Sequence, residues 1–261
     1  MAIGKIRLFT TLADEVGGHV PLDLSFSQKP LIGPLNRPGG IMKLLLTSAG
    51  IKNPSIRSAL VDLLGQPIAE CNALCIPTAT YVLGGPASSY RFISGTATTP
   101  MCELGWKSLG VLELTALPSM GEERWIPLVK ETDVLLVNGG DGVYLSYWLR
   151  ESGLADVFPS LQEKVYVGLS GGSMALTQRI GRDFMNWTPP TGADETLGVV
   201  DFSIFPHLDH EAMPANSMAE AEKWAATIPN PSYLIDDQTA IRVVDGAVDV
   251  ISEGHWKLVN A

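Results

Sequence analysis

Cysteine and basic residues are both scarce in this sequence of 261 residues. The three cysteines, Cys71, Cys75 and Cys102, are too few to build a disulfide framework, so we expect reduced thiols. Lysine and arginine together number 18 against 28 aspartates and glutamates, which gives a net charge of −10. No run of basic residues interrupts this balance, and the sequence therefore predicts no nucleic-acid partner.

Long apolar runs are also missing. The longest have about five residues, whereas a helix needs about 20 to span a bilayer, so we expect no membrane segment and no membrane partner. The N-terminal residues 1–18 lack the apolar core of a signal peptide. These absences predict a soluble, cytoplasmic protein.

Hydrophobic patterning divides the chain at Met42. Residues 1–41 contain scattered proline and glycine and no long periodic segment, so we interpret them as an N-terminal extension. From Met42 onward, short apolar runs alternate with helical patterns, which predicts one α/β domain over residues 42–261. Its expected architecture is a doubly wound, mostly parallel sheet flanked by helices, with a C-terminal β-hairpin around Asp245-Gly246.

The expected elements follow from the period of the apolar residues. Predicted strands lie near residues 42–46, 73–76, 110–114, 133–137, 164–169, 202–206, 233–235, 241–244 and 248–251. Predicted helices lie at 54–64, within 88–108, at 143–152 and from Ser170 to about Ile180. The first of these helices should begin at the N-cap Asn53 and end at Gly65.

A glycine-rich motif follows the predicted strand at 164–169. Gly168-Leu169-Ser170-Gly171-Gly172 matches G-x-S-x-G in the strand–turn–helix context of a nucleophile elbow. In that arrangement a sharp turn lifts the serine hydroxyl clear of the backbone, and the next helix N-terminus favours developing negative charge. The motif alone also fits a glycine-rich turn with an N-capping serine.

A second glycine turn, Asn138-Gly139-Gly140-Asp141-Gly142, follows the strand at 133–137. Its backbone N–H groups could bind an oxyanion or a phosphate, although a turn without a ligand fits equally well. The sequence contains no dinucleotide or P-loop fingerprint, so we expect no nucleotide and no other organic cofactor.

The sequence has four histidines, His19, His207, His210 and His255. His207 ends a predicted strand and is therefore the best candidate for a base acting on Ser170. His210 lies beside acidic residues, but its spacing matches no strong zinc pattern, and we expect no metal.

A histidine base needs a carboxylate partner that fixes its tautomer. Asp236 and Asp237 follow the apolar Tyr233-Leu234-Ile235 and could supply it. Three further acids stay possible on sequence grounds: Asp183, Asp194 and Asp201.

Taken in order, four segments resemble the aspartyl dipeptidase (dipeptidase E) and cyanophycinase family of serine peptidases. They read VNGGDGVYLSYWLRESGL, YVGLSGGSMAL, DFSIFPHLDH and YLIDDQTAIRVVDGAVDVISEGHW. The resemblance covers about residues 42–261, and it implies the class I glutamine-amidotransferase-like fold. It also implies that Ser170 is the nucleophile, His207 the base and Asp237 the acid, with Asp236 beside it.

The same resemblance implies that the backbone amides of Gly140 and Gly171 form the oxyanion hole, with no metal or cofactor. Two positions depart from the family pattern. Gly171 stands where alanine is usual, and we expect it to loosen the elbow. Asp141-Gly142 replaces Asn-Thr, which would place a carboxylate at the pocket rim, where it could bind the ammonium group of a substrate.

These observations predict a serine hydrolase that cuts short peptides through an acyl-enzyme, as a dipeptidase does. The first arginine after His207 is Arg242, so no nearby cation is in place to bind an aspartyl side chain. The alternative is a catalytically inactive binding or regulatory module on the same scaffold. A homodimer is possible.

Overall fold

The computed structural model describes residues 42–261, and the expected extension at 1–41 lies outside the described residues. The strands are β1 (Lys43–Thr47), β2 (Asn72–Ile76), β3 (Ser108–Val111), β4 (Val134–Val137), β5 (Val165–Leu169), β6 (Ser203–Phe205), β7 (Ser232–Ile235), β8 (Thr239–Val244), β9 (Ala247–Ser252) and β10 (Trp256–Val259). The helices are α1 (Pro54–Leu64), α2 (Gly85–Ile93), α3 (Glu122–Glu131), α4 (Gly142–Glu151), α5 (Leu154–Val157), α6 (Gly171–Met174) and α7 (Met218–Ala225). Within the described residues, no helix combines the length and hydropathy that a bilayer span requires.

Seven strands form the central sheet in the order β3-β2-β4-β5-β1-β8-β9. The first five are parallel, and β8 and β9 add an antiparallel hairpin at one edge. This arrangement confirms the predicted α/β fold with a mostly parallel sheet and a hairpin. Because β4 and β1 flank β5, the loops that leave these three strands meet at one edge of the sheet, where open α/β sheets bind ligands.

The sheet is covered by apolar side chains on both faces. Along β4, Val134 and Leu136 belong to one buried cluster, whereas Leu135 and Val137 belong to the other. Successive side chains of a strand point to opposite faces, so a strand buried on both faces has a continuous apolar sequence. This explains why the central strands read as short unbroken apolar runs.

Local signals set the limits of α1 as expected. The Asn53 side chain accepts a 2.9 Å hydrogen bond from the amide of Ile56, and Pro54 is the first helical residue. Gly65 ends the helix in the left-handed conformation, with φ of 68°. The helix buries Ile56, Leu60 and Leu63 on one face, and its limits coincide with those predicted from the sequence.

The helix expected from Ser170 to Ile180 is wrong in length, because α6 ends at Met174. The carbonyl groups that would continue the helix accept hydrogen bonds from a distant segment instead: Leu197 donates to Ala175, and Val199 donates to Leu176. These tertiary contacts replace the helical pattern beyond Met174.

Other differences lie at the periphery of the fold. Much of 88–108 was expected to be helical, but α2 ends at Ile93 and Gly95 follows with φ of 68°. The strand expected at 110–114 begins two residues earlier and ends three residues earlier, as the edge strand β3. Strands β6 and β7 were predicted, but they form a second sheet in the order β10-β7-β6 that was not. Strand β10 and helices α3 and α7 had no counterpart in the prediction.

Candidate active site

Ser170 occupies the sharp turn between β5 and α6. Its φ of 49° and ψ of −114° are unfavourable for an L-residue, as is typical of a nucleophile elbow. The turn is held from the end of β1, because the Ser170 amide and the Ser173 hydroxyl both donate to the Thr47 carbonyl, at 2.9 and 2.8 Å. These contacts fix the strained backbone and therefore the position of the Ser170 hydroxyl.

A buried tyrosine supports the same turn from inside the core. The Tyr166 hydroxyl donates a 2.7 Å hydrogen bond to the carbonyl of Gly172, in the first turn of α6. Burial raises the pKa of Tyr166 well above its usual value, so the hydroxyl keeps its proton and acts as the donor. Neither this contact nor its tyrosine was anticipated from the sequence motif.

His207 follows β6 and reaches both Ser170 and Asp237. Its Nε2 lies 2.9 Å from the Ser170 hydroxyl oxygen, and its Nδ1 lies 2.7 Å from Oδ1 of Asp237. In the tautomer that donates Nδ1–H to the carboxylate, Nε2 is free to accept the serine proton. The structure therefore brings the three residues implied by the resemblance into one hydrogen-bonded chain.

Asp237 lies in the turn between β7 and β8, where its carboxylate is partly buried. Burial alone would raise the pKa of Asp237, but the hydrogen bond and charge of His207, together with Ser48, outweigh burial and hold this pKa below its usual value. The group is therefore ionised at neutral pH and suited to stabilise a protonated His207.

The other acids considered as partners of His207 are engaged elsewhere or exposed. Asp236 accepts hydrogen bonds from the Thr239 hydroxyl and the Gln238 amide within its own turn. Asp194 accepts a hydrogen bond from the amide of Gly181, and Asp201 accepts one from the side chain of Gln178. Asp183 is exposed.

Ser48 is a site residue that sequence reasoning missed. It is fully buried directly after β1, and its hydroxyl accepts a 2.8 Å hydrogen bond from the His207 amide and donates one of 3.0 Å to Asp237. Its position at the carboxyl end of a central parallel strand was the available signal, because such ends line the ligand-binding edge.

Gly140 packs against Gly171, the residue that follows Ser170: a Cβ atom at position 171 would lie 3.0 Å from the amide nitrogen of Gly140. Within residues 42–261, neither residue's N–H donates a hydrogen bond to another protein group. Gly140 has φ of 136°, a conformation that only glycine adopts readily. Two adjacent free N–H groups can bind an oxyanion that forms on a carbonyl attacked by Ser170.

The expectation that Gly171 loosens the elbow does not agree with the packing. A Cβ atom at position 171 would lie 2.1 Å from the carbonyl oxygen of Gly140. The glycine turn and the elbow are therefore in such close contact that an alanine at position 171 has no room in this backbone.

Asp141 also lies elsewhere than expected, because it is fully buried rather than at the pocket rim. Its Oδ1 accepts the amide of Tyr144 at 2.8 Å and so caps α4, while its Oδ2 accepts the amides of Asn186 and Trp187 at 2.6 and 2.8 Å. With both oxygens occupied by backbone donors, the carboxylate connects the glycine turn to residues 186–187 rather than facing a substrate.

Of the other histidines, His210 and His255 lie near the acidic residues around Asp237, whereas His19 lies outside the described residues. His210 Nε2 is 3.6 Å from Oδ2 of Asp237, and His255 lies between Asp209 and Asp236, at 2.9 and 3.2 Å. His210 and His255 line a cavity of about 300 Å³ together with Asp209, Asp236 and Asp237. In residues 42–261, no group of three or more histidine, cysteine or acidic side chains is arranged to hold a metal ion.

Comparison with solved structures shows the same fold in known proteins. A peptidase E-type protein from Listeria monocytogenes EGD-e is 19% identical, with a TM-score of 0.57, over 82% of this chain and 100% of that chain. A peptidase from an acI-B1 Actinobacterium is 18% identical, with a TM-score of 0.60, over 85% of this chain and 91% of that chain.

Comparison with sequences gives a family assignment. No curated protein sequence matches the chain. The model of peptidase family S51, however, matches residues 44–251, which include Ser170, His207 and Asp237. Because this match spans well over half of the sequence, the chain belongs to peptidase family S51, a family of serine peptidases.

Proposed function

We propose that Ser170, His207 and Asp237 form the catalytic triad of this peptidase. The observation that carries the proposal is the continuous hydrogen-bonded chain from the Ser170 hydroxyl through both ring nitrogens of His207 to Asp237. The strained backbone of Ser170 supports the same role, because the contacts from Thr47 hold a conformation that a purely structural turn would not need.

In the proposed reaction, Nε2 of His207 takes the proton of Ser170 as Oγ attacks the carbonyl carbon of a peptide bond. The amides of Gly140 and Gly171 donate to the tetrahedral oxyanion, and Asp237 stabilises the positive His207. His207 then gives its proton to the leaving amine, which breaks the C–N bond and leaves an acyl-enzyme. Water, deprotonated by His207, attacks the ester, and collapse of the second tetrahedral intermediate releases the acid and returns the proton to Ser170.

Short peptides are the proposed substrates. The resemblance of the sequence to dipeptidase E supports this size class. We propose no preference for aspartyl peptides, because two arginines that could bind an aspartyl side chain are already paired. Arg242, the first arginine after His207, pairs with Asp249 within the β8–β9 hairpin, and Arg179 pairs with Asp194.

The test is a dipeptide and tripeptide panel that includes Asp-, Ala- and Leu-initiated members, assayed with wild type and Ser170→Ala. We expect Ser170→Ala to lower kcat by at least about a thousandfold, because the nucleophile is lost. The matched control is Ser146→Ala, which removes a buried hydroxyl that has no hydrogen-bond partner among residues 42–261 and should retain activity. Residual hydrolysis by Ser170→Ala close to the wild-type rate would contradict the proposal.

A fluorophosphonate probe gives a second readout that does not depend on the choice of peptide. Labelling should be lost in Ser170→Ala and kept in Ser146→Ala. If wild type neither hydrolyses the panel nor reacts with the probe over a range of pH, the triad assignment fails.

A further inference from the structure

The peptide unit between Gly139 and Gly140 is held by a threonine from another strand end. Thr80 lies in the short 3₁₀ segment Thr78–Val82 that follows β2, and its hydroxyl donates a 2.6 Å hydrogen bond to the carbonyl of Gly139. Thr80 is separated from Gly139 by 59 residues, and its side chain is buried. This contact is made to the turn that carries one of the two proposed oxyanion-hole amides.

The carbonyl of Gly139 and the N–H of Gly140 belong to the same planar peptide unit. In a trans peptide these two groups point in opposite directions, so fixing the carbonyl also fixes the direction of the N–H. The structure contains no cis peptide bond among the described residues. A hydrogen bond from Thr80 to the Gly139 carbonyl therefore determines where the Gly140 N–H points.

The direction of the Thr80 proton is itself fixed by Asn138. The side-chain amide of Asn138 donates to the Thr80 hydroxyl oxygen at 2.6 Å, and its Oδ1 accepts the amide of Gly139 at 2.9 Å. A threonine hydroxyl has one proton, and because its oxygen already accepts from Asn138, that proton is free for the Gly139 carbonyl. Asn138 thus binds the N–H of Gly139, and Thr80 binds its carbonyl.

Such a constraint matters because glycines stand on both sides of this peptide unit. Glycine adopts positive and negative φ with similar ease, so the two glycines themselves restrict the rotation of this unit less than other residues would. Rotation would turn the Gly140 N–H away from the oxyanion and replace it with a carbonyl oxygen, which repels negative charge. Outside hydrogen bonds therefore have to hold the orientation that catalysis needs.

We propose that Thr80 is a positioning residue for catalysis, whose hydroxyl holds the Gly139–Gly140 peptide unit in the orientation that binds the oxyanion. This inference rests on the proposed function, because it concerns the Gly140 amide as an oxyanion donor. Thr80 touches no reacting atom and acts through the backbone of the glycine turn.

The experiment compares Thr80→Val, which keeps the shape but removes the hydroxyl, with Thr80→Ser, which keeps the hydroxyl. We expect Thr80→Val to lower kcat by about ten- to a hundredfold with KM within about twofold, because removing an oxyanion donor outright costs about a hundred- to a thousandfold. Thr80→Ser should restore most of kcat. The affinity of a peptide aldehyde, which forms a tetrahedral adduct, should fall in parallel with kcat.

Thr78→Val is the matched control, because Thr78 is a buried threonine of the same 3₁₀ segment whose hydroxyl bonds to Glu113 instead. If Thr78→Val lowers kcat as much as Thr80→Val, or if Thr80→Val keeps wild-type kcat and aldehyde affinity, the inference is overturned. Failure of the proposed function is recognised separately, because wild-type hydrolysis would then not depend on Ser170.

Discussion

The hydroxyl of Ser48 donates a 3.0 Å hydrogen bond to Oδ1 of Asp237, although 189 residues separate the two in the sequence. The same hydroxyl oxygen accepts the backbone amide of His207 at 2.8 Å. Ser48 thus joins the backbone of the proposed base to the side chain of the proposed acid. Its one proton is used by Asp237, so the hydroxyl fixes the carboxylate oxygen that His207 contacts.

Replacement of Ser48 by alanine tests this connection. We expect kcat to fall by roughly tenfold, equivalent to about 1.4 kcal/mol, which is close to the net value of one hydrogen bond. Steady-state kinetics of Ser48→Ala and of the control Ser146→Ala should show the loss in the first variant alone. Equal kcat in Ser48→Ala and wild type would show that His207 and Asp237 need no bridge.

The contact between Gly171 and the Gly140 carbonyl predicts that Gly171→Ala is harmful. The added methyl would lie 2.1 Å from that oxygen, and relief requires movement of the proposed oxyanion hole. We expect a loss of about 1–3 kcal/mol in the free energy of unfolding, as for other overpacked sites, together with a lower kcat.

Gly142→Ala is the control for this substitution, because the nearest atom to its added methyl is 3.3 Å away and Gly142 lies in the first turn of α4. Thermal unfolding and kinetics should separate the two variants clearly. A Gly171→Ala protein with wild-type stability and kcat would disprove the tight contact.

The buried carboxylate of Asp141 predicts that Asp141→Asn destabilises the fold. Asparagine has one carbonyl oxygen, whereas the carboxylate accepts three backbone amides through two oxygens, so the NH2 group must face a backbone donor. We expect the free energy of unfolding to fall by about 2 kcal/mol, as for a buried donor left without its acceptor.

The control is Asp245→Asn, in the exposed hairpin turn with φ of 50°, a conformation that asparagine tolerates. Denaturant unfolding should show a lower midpoint for Asp141→Asn than for wild type. The midpoint of Asp245→Asn should equal that of wild type. An unchanged midpoint in both variants would contradict the role of Asp141 in connecting the glycine turn to residues 186–187.

The lowered pKa of Asp237 predicts a pH-dependent contribution to stability. A carboxyl group whose pKa is lower in the folded state stabilises that state at pH values above its unfolded pKa of about 3.9. This contribution is lost as the pH falls through the folded-state value. The difference in unfolding free energy between wild type and Asp237→Asn should therefore shrink below about pH 4.

Denaturant titrations of both proteins between neutral and acid pH measure this difference. Asp201→Asn, at an exposed carboxylate that accepts a hydrogen bond from Gln178, serves as the control. A difference that stays constant down to acid pH would mean that His207 and Ser48 do not stabilise the charge of Asp237.

Much of the fold could be predicted from the sequence because local physics and tertiary packing agree in its centre. The capped helix α1 and the apolar run of β4 carry their own signals, and so does the hairpin turn at Asp245-Gly246. The motif around Ser170 predicted an elbow for the same reason, since its glycines and flanking strand are adjacent in the chain.

The sequence by itself determined the strand alternation, the elbow and the small set of histidines and acids from which the site is drawn. Only the tertiary structure decided that Asp237 rather than Asp236 meets His207, that Asp141 is buried, and that Ser48 and Thr80 support the site. Those outcomes depend on contacts between strand ends far apart in the chain. The spacing of apolar residues predicts which face of a strand is buried, but not which strands lie beside it in the sheet. For the same reason α6 ends early, because its next carbonyl groups are taken by residues that the local pattern does not contain.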